Sequence, residues 1–188
     1  TILITGASSG IGEAFAIELN KLGAKLILTA RSKDKLENLA EKMNNAIVIS
    51  GDLSNRDFPN KLYNEIKNKN IDVDIVINNA GFGFSGLFLN SSMENYLGMI
   101  NLNICSLVNL THLFLADMVK NKNGGIINVS SLASFQPMPY FTVYAATKAF
   151  VTSFTIGLYE EYRKKNIRIL GVCQGYTKTN FNKRGDMT

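Results

Sequence analysis

A tyrosine and a lysine four positions apart, Tyr144 and Lys148, are the residues of this sequence best suited to acid–base chemistry. Residues four apart lie on one face of an α-helix, so the lysine ammonium can lie near the tyrosine phenol. A free tyrosine ionises near pH ~10, and a nearby cation lowers its pKa toward the range of a general acid or base. The pair predicts a proton-transfer site, although an exposed Tyr and Lys on an ordinary amphipathic helix would have the same spacing.

A glycine-rich segment, residues 5–12, lies directly between a strand pattern and a helix pattern. Gly6 permits a tight turn, Gly10 lets the backbone approach a pyrophosphate, and Gly12 lets the helix pack closely on the strand. The helix N-terminus adds free N–H groups and a partial positive charge. A turn that only joins strand to helix is the alternative. Because Asn78-Asn79-Ala80-Gly81 follows another strand at the same carboxyl edge of the predicted sheet, the sequence favours a dinucleotide site.

The end of the second predicted strand indicates which dinucleotide binds. A fold specific for NAD usually has a carboxylate there, whereas this sequence has Ala30 followed by Arg31 and Ser32. A guanidinium pairs with a ribose 2′-phosphate, and a hydroxyl adds a donor, so the sequence predicts NADP(H). A solvated arginine at a strand end is the alternative. Asp52 is a candidate for an adenine contact or for the cap of the following helix.

The elements that must position these residues follow from the apolar pattern. Runs of Ile, Leu and Val alternate with amphipathic stretches, which is typical of βα units around a parallel sheet buried on both faces. We expect strands at residues 2–5, 25–29, 46–50, 73–77, 125–129 and 167–172. We expect a first helix containing Ala14, Phe15, Leu19 and Leu22 and ending at Gly23, and further helices at 33–43, 56–69, 92–120 and 143–165. The sequence predicts one α/β domain, residues 1–188, with a doubly wound parallel sheet.

Composition excludes several other classes of protein. Hydrophobic residues make up 46% and charged residues 19% of the chain, which is too apolar for a disordered protein. The net charge of +5 is dispersed, so no nucleic-acid partner is expected. Cys105 and Cys173 lie in apolar stretches without a metal-binding cluster around His112, so we expect core thiols, no metal and a reducing, cytoplasmic location. No apolar run approaches about 18 residues, so no integral membrane span is expected.

Three motifs in order, Thr-Gly-x-x-x-Gly-x-Gly, Asn-Asn-Ala-Gly and Tyr144-Ala145-Ala146-Thr147-Lys148, resemble the short-chain dehydrogenase/reductase family over essentially the whole chain. The resemblance implies a Rossmann fold and hydride transfer between NADP(H) and a small-molecule carbonyl or alcohol. Tyr144 would donate the proton to the carbonyl oxygen. Ser131, 13 residues earlier, would hold that oxygen. Lys148 would modulate Tyr144 and donate to the nicotinamide ribose.

The resemblance also identifies Asn103 as the helix asparagine that anchors a proton-relay water near Lys148. Asn101 is the competing register, and we favour Asn103 because a small residue, Ser106, follows three positions later. Thr179 matches the family's threonine that binds the nicotinamide carboxamide. The complete set of expected cofactor-binding residues is Gly6, Ser8, Ser9, Gly10, Ile11, Gly12, Arg31, Ser32, Asp52, Leu53, Asn79, Ala80, Gly81, Tyr144, Lys148, Gly175, the weaker candidate Thr177, and Thr179.

The sequence departs from the family pattern at Gln174, where a proline usually precedes the glycine. Glutamine allows a wider range of φ and restores an N–H, so we expect a looser loop with activity retained. The family would also continue beyond Thr188 with a substrate-binding segment, a helix and a last strand. Thr1 begins inside a strand pattern, and the chain stops in a polar loop at Thr188, so both ends look cut.

Apolar residues near the catalytic motifs predict a pocket for a hydrophobic ketone or aldehyde. They are Phe82, Phe84, Phe135, Met138, Pro139, Tyr140 and Phe141. The family resemblance further implies a homodimer or homotetramer built on helices 92–120 and 143–165. The rival interpretation is a catalytically idle dinucleotide-binding sensor or scaffold, which usually lacks the tyrosine or the lysine.

Overall fold

A computed structural model describes residues 1–177 of the chain. Its centre is a parallel sheet of six strands in the order β3-β2-β1-β4-β5-β6. The strands are β1 (Ile2–Thr5), β2 (Leu26–Thr29), β3 (Ala46–Val48), β4 (Ile75–Asn78), β5 (Gly124–Val129) and β6 (Ile167–Val172). The strand order reverses between β1 and β4, which leaves a crevice at their carboxyl ends. The predicted doubly wound parallel sheet is confirmed.

Helices cover both faces of the sheet. They are α1 (Gly10–Lys21), α2 (Lys33–Ala40), α3 (Phe58–Asn68), α4 (Met93–Ile100), α5 (Leu107–Asn121) and α6 (Thr142–Tyr162). Side chains alternate along each strand, so Ile4 and Leu28 belong to a core with residues of α1 and α2. Leu3 and Ile27 belong to a second core with residues of α3, α5 and α6. Burial on both faces explains the apolar runs of β1 and β2, whose residues are all buried. β6 differs from the prediction, because Arg168 and Leu170 on one of its faces are exposed.

Several element boundaries differ from the prediction by a few residues. β2 begins at residue 26, β3 ends at residue 48, and β4 is displaced toward its carboxyl end. The helix predicted to reach residue 43 ends at Ala40, because the Met43 N–H donates to the Ala40 carbonyl in a turn. α6 ends at Tyr162 instead of residue 165, and Asn166 has a left-handed φ of 56°. The left-handed Gly23 after α1 is as predicted, with a φ of 79°.

The long helix predicted at residues 92–120 is interrupted by a π-helical segment, Asn101–Ser106, between α4 and α5. Such segments frequently lie at functional sites. Here the segment turns Asn103 and Ser106 inward, where both are buried. The same turn leaves Cys105 exposed, so the prediction of a core thiol at that position is wrong.

By length and composition alone, the helical stretch Met93–Asn121, which includes the π-helical segment, is apolar enough to cross a membrane. Core helices pass the same test. In the described fold, Leu110, Phe114 and Met118 on this helix are buried in the core against the sheet. The apolar character of the helix is therefore explained by its packing on the sheet.

Candidate active site

Thr5 connects the carboxyl ends of β1 and β4. Its Oγ1 accepts hydrogen bonds from the backbone N–H groups of Asn79 and Ala80, both at 2.9 Å. The Asn79 Nδ2 donates in return to the Thr5 carbonyl at 2.8 Å. The two predicted cofactor motifs are thus held against each other at one edge of the sheet.

The glycine-rich turn has the backbone conformation expected of it. Gly6 and Gly10 have φ values of 66° and 63°, a region that favours glycine. A Cβ atom on Gly12 would lie 2.4 Å from the Gly6 carbonyl oxygen, which no side chain could tolerate. α1 begins at Gly10, so its free N–H groups lie beside this turn. The turn leaves a backbone cradle that would suit a pyrophosphate.

A cleft of about 870 Å³ follows this edge of the sheet and contains most of the predicted site. The predicted residues that line it are Gly6, Ser8, Ser9, Gly10, Ile11, Arg31, Ser32, Asp52, Leu53, Asn79, Ala80, Gly81, Ser131, Tyr144, Lys148, Gly175 and Thr177. Gly12 and Asn103 do not line it. Thr179 falls outside the described residues.

Two cations line the end of the cleft at which the sequence predicts that the adenosine of the cofactor binds, and this end is called the adenosine end. Arg31 and Lys35 both line the cleft and are both exposed. Within residues 1–177, neither forms a salt bridge, whereas the neighbouring Lys33 pairs with Glu37 at 3.5 Å. Sequence reasoning missed Lys35. Its position in the first turn of α2, close after Ser32, was the available indication.

Asp52 lines the cleft but does not cap the next helix. Its Oδ1 accepts from the Ser54 N–H at 2.9 Å and from the Ser54 hydroxyl at 2.8 Å. Since α3 begins at Phe58, the capping alternative is wrong. An adenine contact from Asp52 stays a prediction.

Tyr144 and Ser131 lie together at the other end of the cleft. Tyr144 is only 7% exposed and packs in a cluster with Tyr96, Met99 and Phe141. Burial raises the pKa of the Tyr144 phenol, while a hydrogen bond with the Ser131 side chain lowers it to a smaller extent. Desolvation favours the neutral phenol and holds the pKa of Tyr144 above its ordinary value. The lowering of this pKa by the Lys148 cation, for the protein with its cofactor bound, stays a prediction.

Lys148 is buried beside Tyr144, at 5% exposure. Its Nζ lies 5.9 Å from the centroid of the tyrosine ring and donates to the Val129 carbonyl at 2.8 Å. Burial lowers the pKa of Lys148 to about 8, opposed by the nearby Cys173 thiol. The ammonium is thus directed toward a strand-end carbonyl, and no described carboxylate neutralises it.

Asn103, and not Asn101, is the buried asparagine of the π-helical segment, and its anchoring of a proton-relay water stays a prediction. Its Oδ1 accepts from the Phe82 N–H at 3.2 Å, and its Nδ2 donates to the Phe82 carbonyl at 2.9 Å. A Cβ atom on Gly81 would lie 3.1 Å from the Asn103 Oδ1 and 3.5 Å from the Lys148 Nζ. The structure therefore brings the Asn103 Oδ1 and the Lys148 Nζ close to the same point, the Cβ position that Gly81 lacks.

The apolar wall is smaller than the sequence suggests. Phe82, Met138 and Phe141 line the cleft, whereas Phe84, Phe135, Pro139 and Tyr140 do not. Phe84 packs edge-on against Tyr96 instead, and the other three are exposed. Besides Lys35, sequence reasoning missed these residues of the cleft wall: Ala30, Gly51, Ser85, Leu102, Val129, Leu132, Ala133, Gln136 and Tyr176.

Gln174 also lines the cleft, after β6. Its backbone carbonyl accepts from the Leu132 N–H at 2.9 Å, which ties this loop to the segment after β5. Among the described residues, its buried Oε1 has no hydrogen-bond partner. A proline at this position would have no such polar group.

Comparisons with known proteins agree with this geometry. A family model described as short chain dehydrogenase matches residues 1–187. Very-long-chain 3-oxoacyl-CoA reductase of Homo sapiens is 35% identical over 188 residues, which cover 96% of this chain and 60% of the human protein. Hydroxysteroid dehydrogenase-like protein 1 of Gallus gallus is 37% identical over 171 residues, covering 88% and 52%. The chain thus spans between half and two thirds of these relatives.

Solved structures give the same result. A short-chain dehydrogenase from Sphingobium yanoikuyae in complex with NADPH superimposes with a TM-score of 0.94 at 31% identity, covering 100% of this chain and 75% of that one. The closed form of a serine dehydrogenase complexed with NADP⁺ has a TM-score of 0.92 at 30% identity, covering 98% and 76%. The chain belongs to the short-chain dehydrogenase/reductase family of oxidoreductases.

Proposed function

We propose that this protein is an NADP(H)-dependent reductase of hydrophobic ketones or aldehydes, with 3-oxoacyl thioesters as the first substrate class to test. The observation that carries the proposal is the division of the cleft. Two cations that form no salt bridge within residues 1–177, Arg31 and Lys35, lie at one end, and the Tyr144, Ser131 and Lys148 group lies at the other. A dinucleotide with a 2′-phosphate would match both ends.

The cofactor proposal fits the residues present. The left-handed Gly6 and Gly10 and the α1 N-terminus would hold a pyrophosphate, and the two cations would pair with the 2′-phosphate. Lys148 would donate to the nicotinamide ribose, as its position beside Gly81 in the cleft permits. When bound, the nicotinamide supplies or accepts the hydride.

Tyr144 would provide the proton for carbonyl reduction. The ordinary pKa of tyrosine is already about 10 and burial raises that of Tyr144 further, so the phenol carries the proton that a general acid donates. Ser131 lies in hydrogen-bonding contact with the phenol, so both hydroxyls would approach one carbonyl oxygen. The presence of both Tyr144 and Lys148 argues against a catalytically idle scaffold.

The substrate proposal combines the apolar wall with the relatives. Phe82, Met138 and Phe141 line the cleft at the tyrosine end, so an apolar chain next to the carbonyl would be desolvated there. Several of the similar proteins are very-long-chain 3-oxoacyl-CoA reductases. A 3-oxoacyl thioester has both a ketone and a long apolar chain. A cytoplasmic location and a homo-oligomer built on the helices 92–120 and 143–165 stay predictions.

Two measurements on the full-length protein test the proposal. Calorimetric titration should give tighter binding of NADPH than of NADH. Loss of NADPH absorbance should then accompany reduction of members of a panel of ketones, aldehydes and 3-oxoacyl-CoA thioesters, with Tyr144→Phe as the inactive control. Equal or tighter binding of NADH would contradict the NADP(H) assignment. A protein that binds NADPH but reduces no member of the panel would contradict the substrate class.

A further inference from the structure

Thr147 lies between the tyrosine and the lysine of the catalytic motif, yet its side chain does not line the cleft. It is 2% exposed. Its Oγ1 donates to the Tyr144 carbonyl at 2.7 Å and accepts from the Asn103 Nδ2 at 3.0 Å. One hydroxyl therefore connects the first turns of α6 to the π-helical segment.

The connection continues to the loop after β4. The Asn103 Nδ2 has two hydrogens, one directed to Thr147 and the other to the Phe82 carbonyl. Its Oδ1 accepts from the Phe82 N–H, so every donor on this amide is used within the protein. Phe82, Asn103, Thr147 and Tyr144 thus form a hydrogen-bonded chain across three segments that are distant in sequence.

We infer that Thr147 is a positioning residue, whose hydroxyl holds the turn carrying Tyr144 and Lys148 in register with Asn103 and the Phe82 loop. The inference rests on the proposed function, because it assigns Thr147 an effect on the residues that would perform it. Loss of the hydroxyl would leave an Asn103 hydrogen buried without an acceptor, and α6 would move relative to the cleft to relieve this. Displacements of that kind reduce catalysis even when the reacting groups are intact.

Another threonine on the same helix provides a matched control. Thr155 is 4% exposed, donates to the Val151 carbonyl at 2.6 Å and accepts from the Asn128 Nδ2 at 2.9 Å. It has the same side chain, the same two kinds of hydrogen bond and the same burial as Thr147. Neither Thr155 nor Asn128 lines the cleft. Removal of its hydroxyl should therefore cost comparable stability without displacing the catalytic turn.

The experiment compares Thr147→Val, Thr147→Ser and Thr155→Val in the full-length protein. With 3-oxostearoyl-CoA as substrate, Thr147→Val should lower kcat by about 10- to 100-fold. Thr147→Ser keeps the hydroxyl and should restore kcat to within about threefold of wild type, and Thr155→Val should change it by less than about twofold. Should Thr147→Val fail to fold, Thr147→Ala serves in its place.

A second readout needs no substrate. Thr147→Val should lower the affinity for NADP⁺ by several-fold, because the displaced Lys148 no longer meets the nicotinamide ribose. The affinity for 2′,5′-ADP, which reaches only the adenosine end, should stay unchanged. Equal kcat and equal NADP⁺ affinity in Thr147→Val and Thr155→Val would overturn the inference, because the hydroxyl would then have only a structural role. Tyr144→Phe separates the two proposals: wild-type turnover in that variant would overturn the proposed function itself.

Discussion

The two ends of the cleft differ in how their charges are placed. At the adenosine end, Arg31 and Lys35 are exposed and, within residues 1–177, form no salt bridge. At the chemical end, Lys148 and Tyr144 are almost fully buried, and Lys148 is hydrogen-bonded to a strand-end carbonyl. In the proposed function, the exposed end would act through a field that water and salt weaken, whereas the buried end would act through geometry and desolvation.

This difference predicts the size of mutational effects. Removing a buried group that contacts the reacting atoms should lower turnover by a larger factor than removing an exposed cation lowers cofactor affinity. An exposed cation interacts with the cofactor through water, which weakens the interaction that is lost. The effects should also respond differently to conditions. Salt should affect the adenosine end, and pH should affect the chemical end.

The largest expected effect is that of Tyr144→Phe. The variant keeps the ring and its packing with Tyr96, Met99 and Phe141 but removes the proton donor. Turnover should fall by about 10²- to 10⁴-fold, as for the loss of a general acid. NADPH affinity, measured by calorimetry, should change by less than about threefold and thus serves as the control. Wild-type turnover in the variant would show that another group donates the proton.

Arg31→Ala should have the next largest effect, on cofactor choice. Loss of a charge-assisted hydrogen bond to the 2′-phosphate should make the binding free energy of NADPH less favourable by about 1.5–3 kcal/mol. NADH has no such phosphate, so its dissociation constant should stay nearly constant. Parallel titrations of both nucleotides measure the difference. Equal weakening of NADH and NADPH would place Arg31 away from the 2′-phosphate.

Lys148 should make stability depend on pH. Its pKa is lowered from 10.5 to about 8 by burial, so between these values the unfolded chain binds more protons than the folded one. Stability should therefore rise with pH in this window, by about 2 kcal/mol between about pH 7 and about pH 9.5. Denaturant unfolding of the wild type and of Lys148→Met at several pH values isolates this contribution. Parallel curves for the two proteins would contradict the lowered pKa.

The strands of the sheet and the motifs at their ends could be predicted from the sequence, because each depends mainly on residues that are neighbours along the chain. Continuous apolar runs indicate doubly buried strands. Gly6 is favoured by the left-handed φ of its own turn, and Gly12 by its close approach to the Gly6 carbonyl within the same βα turn. The π-helical segment was not predictable in this way. The segment changes the helical register over only six residues, and apolar periodicity does not resolve so short a change. The burial of Asn103 and the exposure of Cys105 were therefore seen only in the structure.

The electrostatics of the chemical end depend on more than helical spacing. The spacing of Tyr144 and Lys148 places them on one helix face, which predicts a lowered tyrosine pKa. Burial of Tyr144 depends on residues of α4 and of the loop before α6, and this packing acts in the opposite direction by favouring the neutral phenol. Lys35 was missed because an exposed lysine on a helix has many possible positions until the neighbouring strand end is placed beside it.

The smallest expected effect is that of Lys35→Ala. Lys35 lies at the same end of the cleft as Arg31, but its ammonium group is exposed on a flexible side chain. Its removal should therefore lower the affinity for NADPH by only about two- to fivefold at low salt. Lys33→Ala is the matched control, because Lys33 lies on the same turn of α2, pairs with Glu37 and does not line the cleft. Calorimetry at increasing ionic strength should reduce the difference between Lys35→Ala and wild type, since salt screens an exposed charge. Identical NADPH affinities of Lys35→Ala and Lys33→Ala at low salt would show that Arg31 alone recognises the 2′-phosphate.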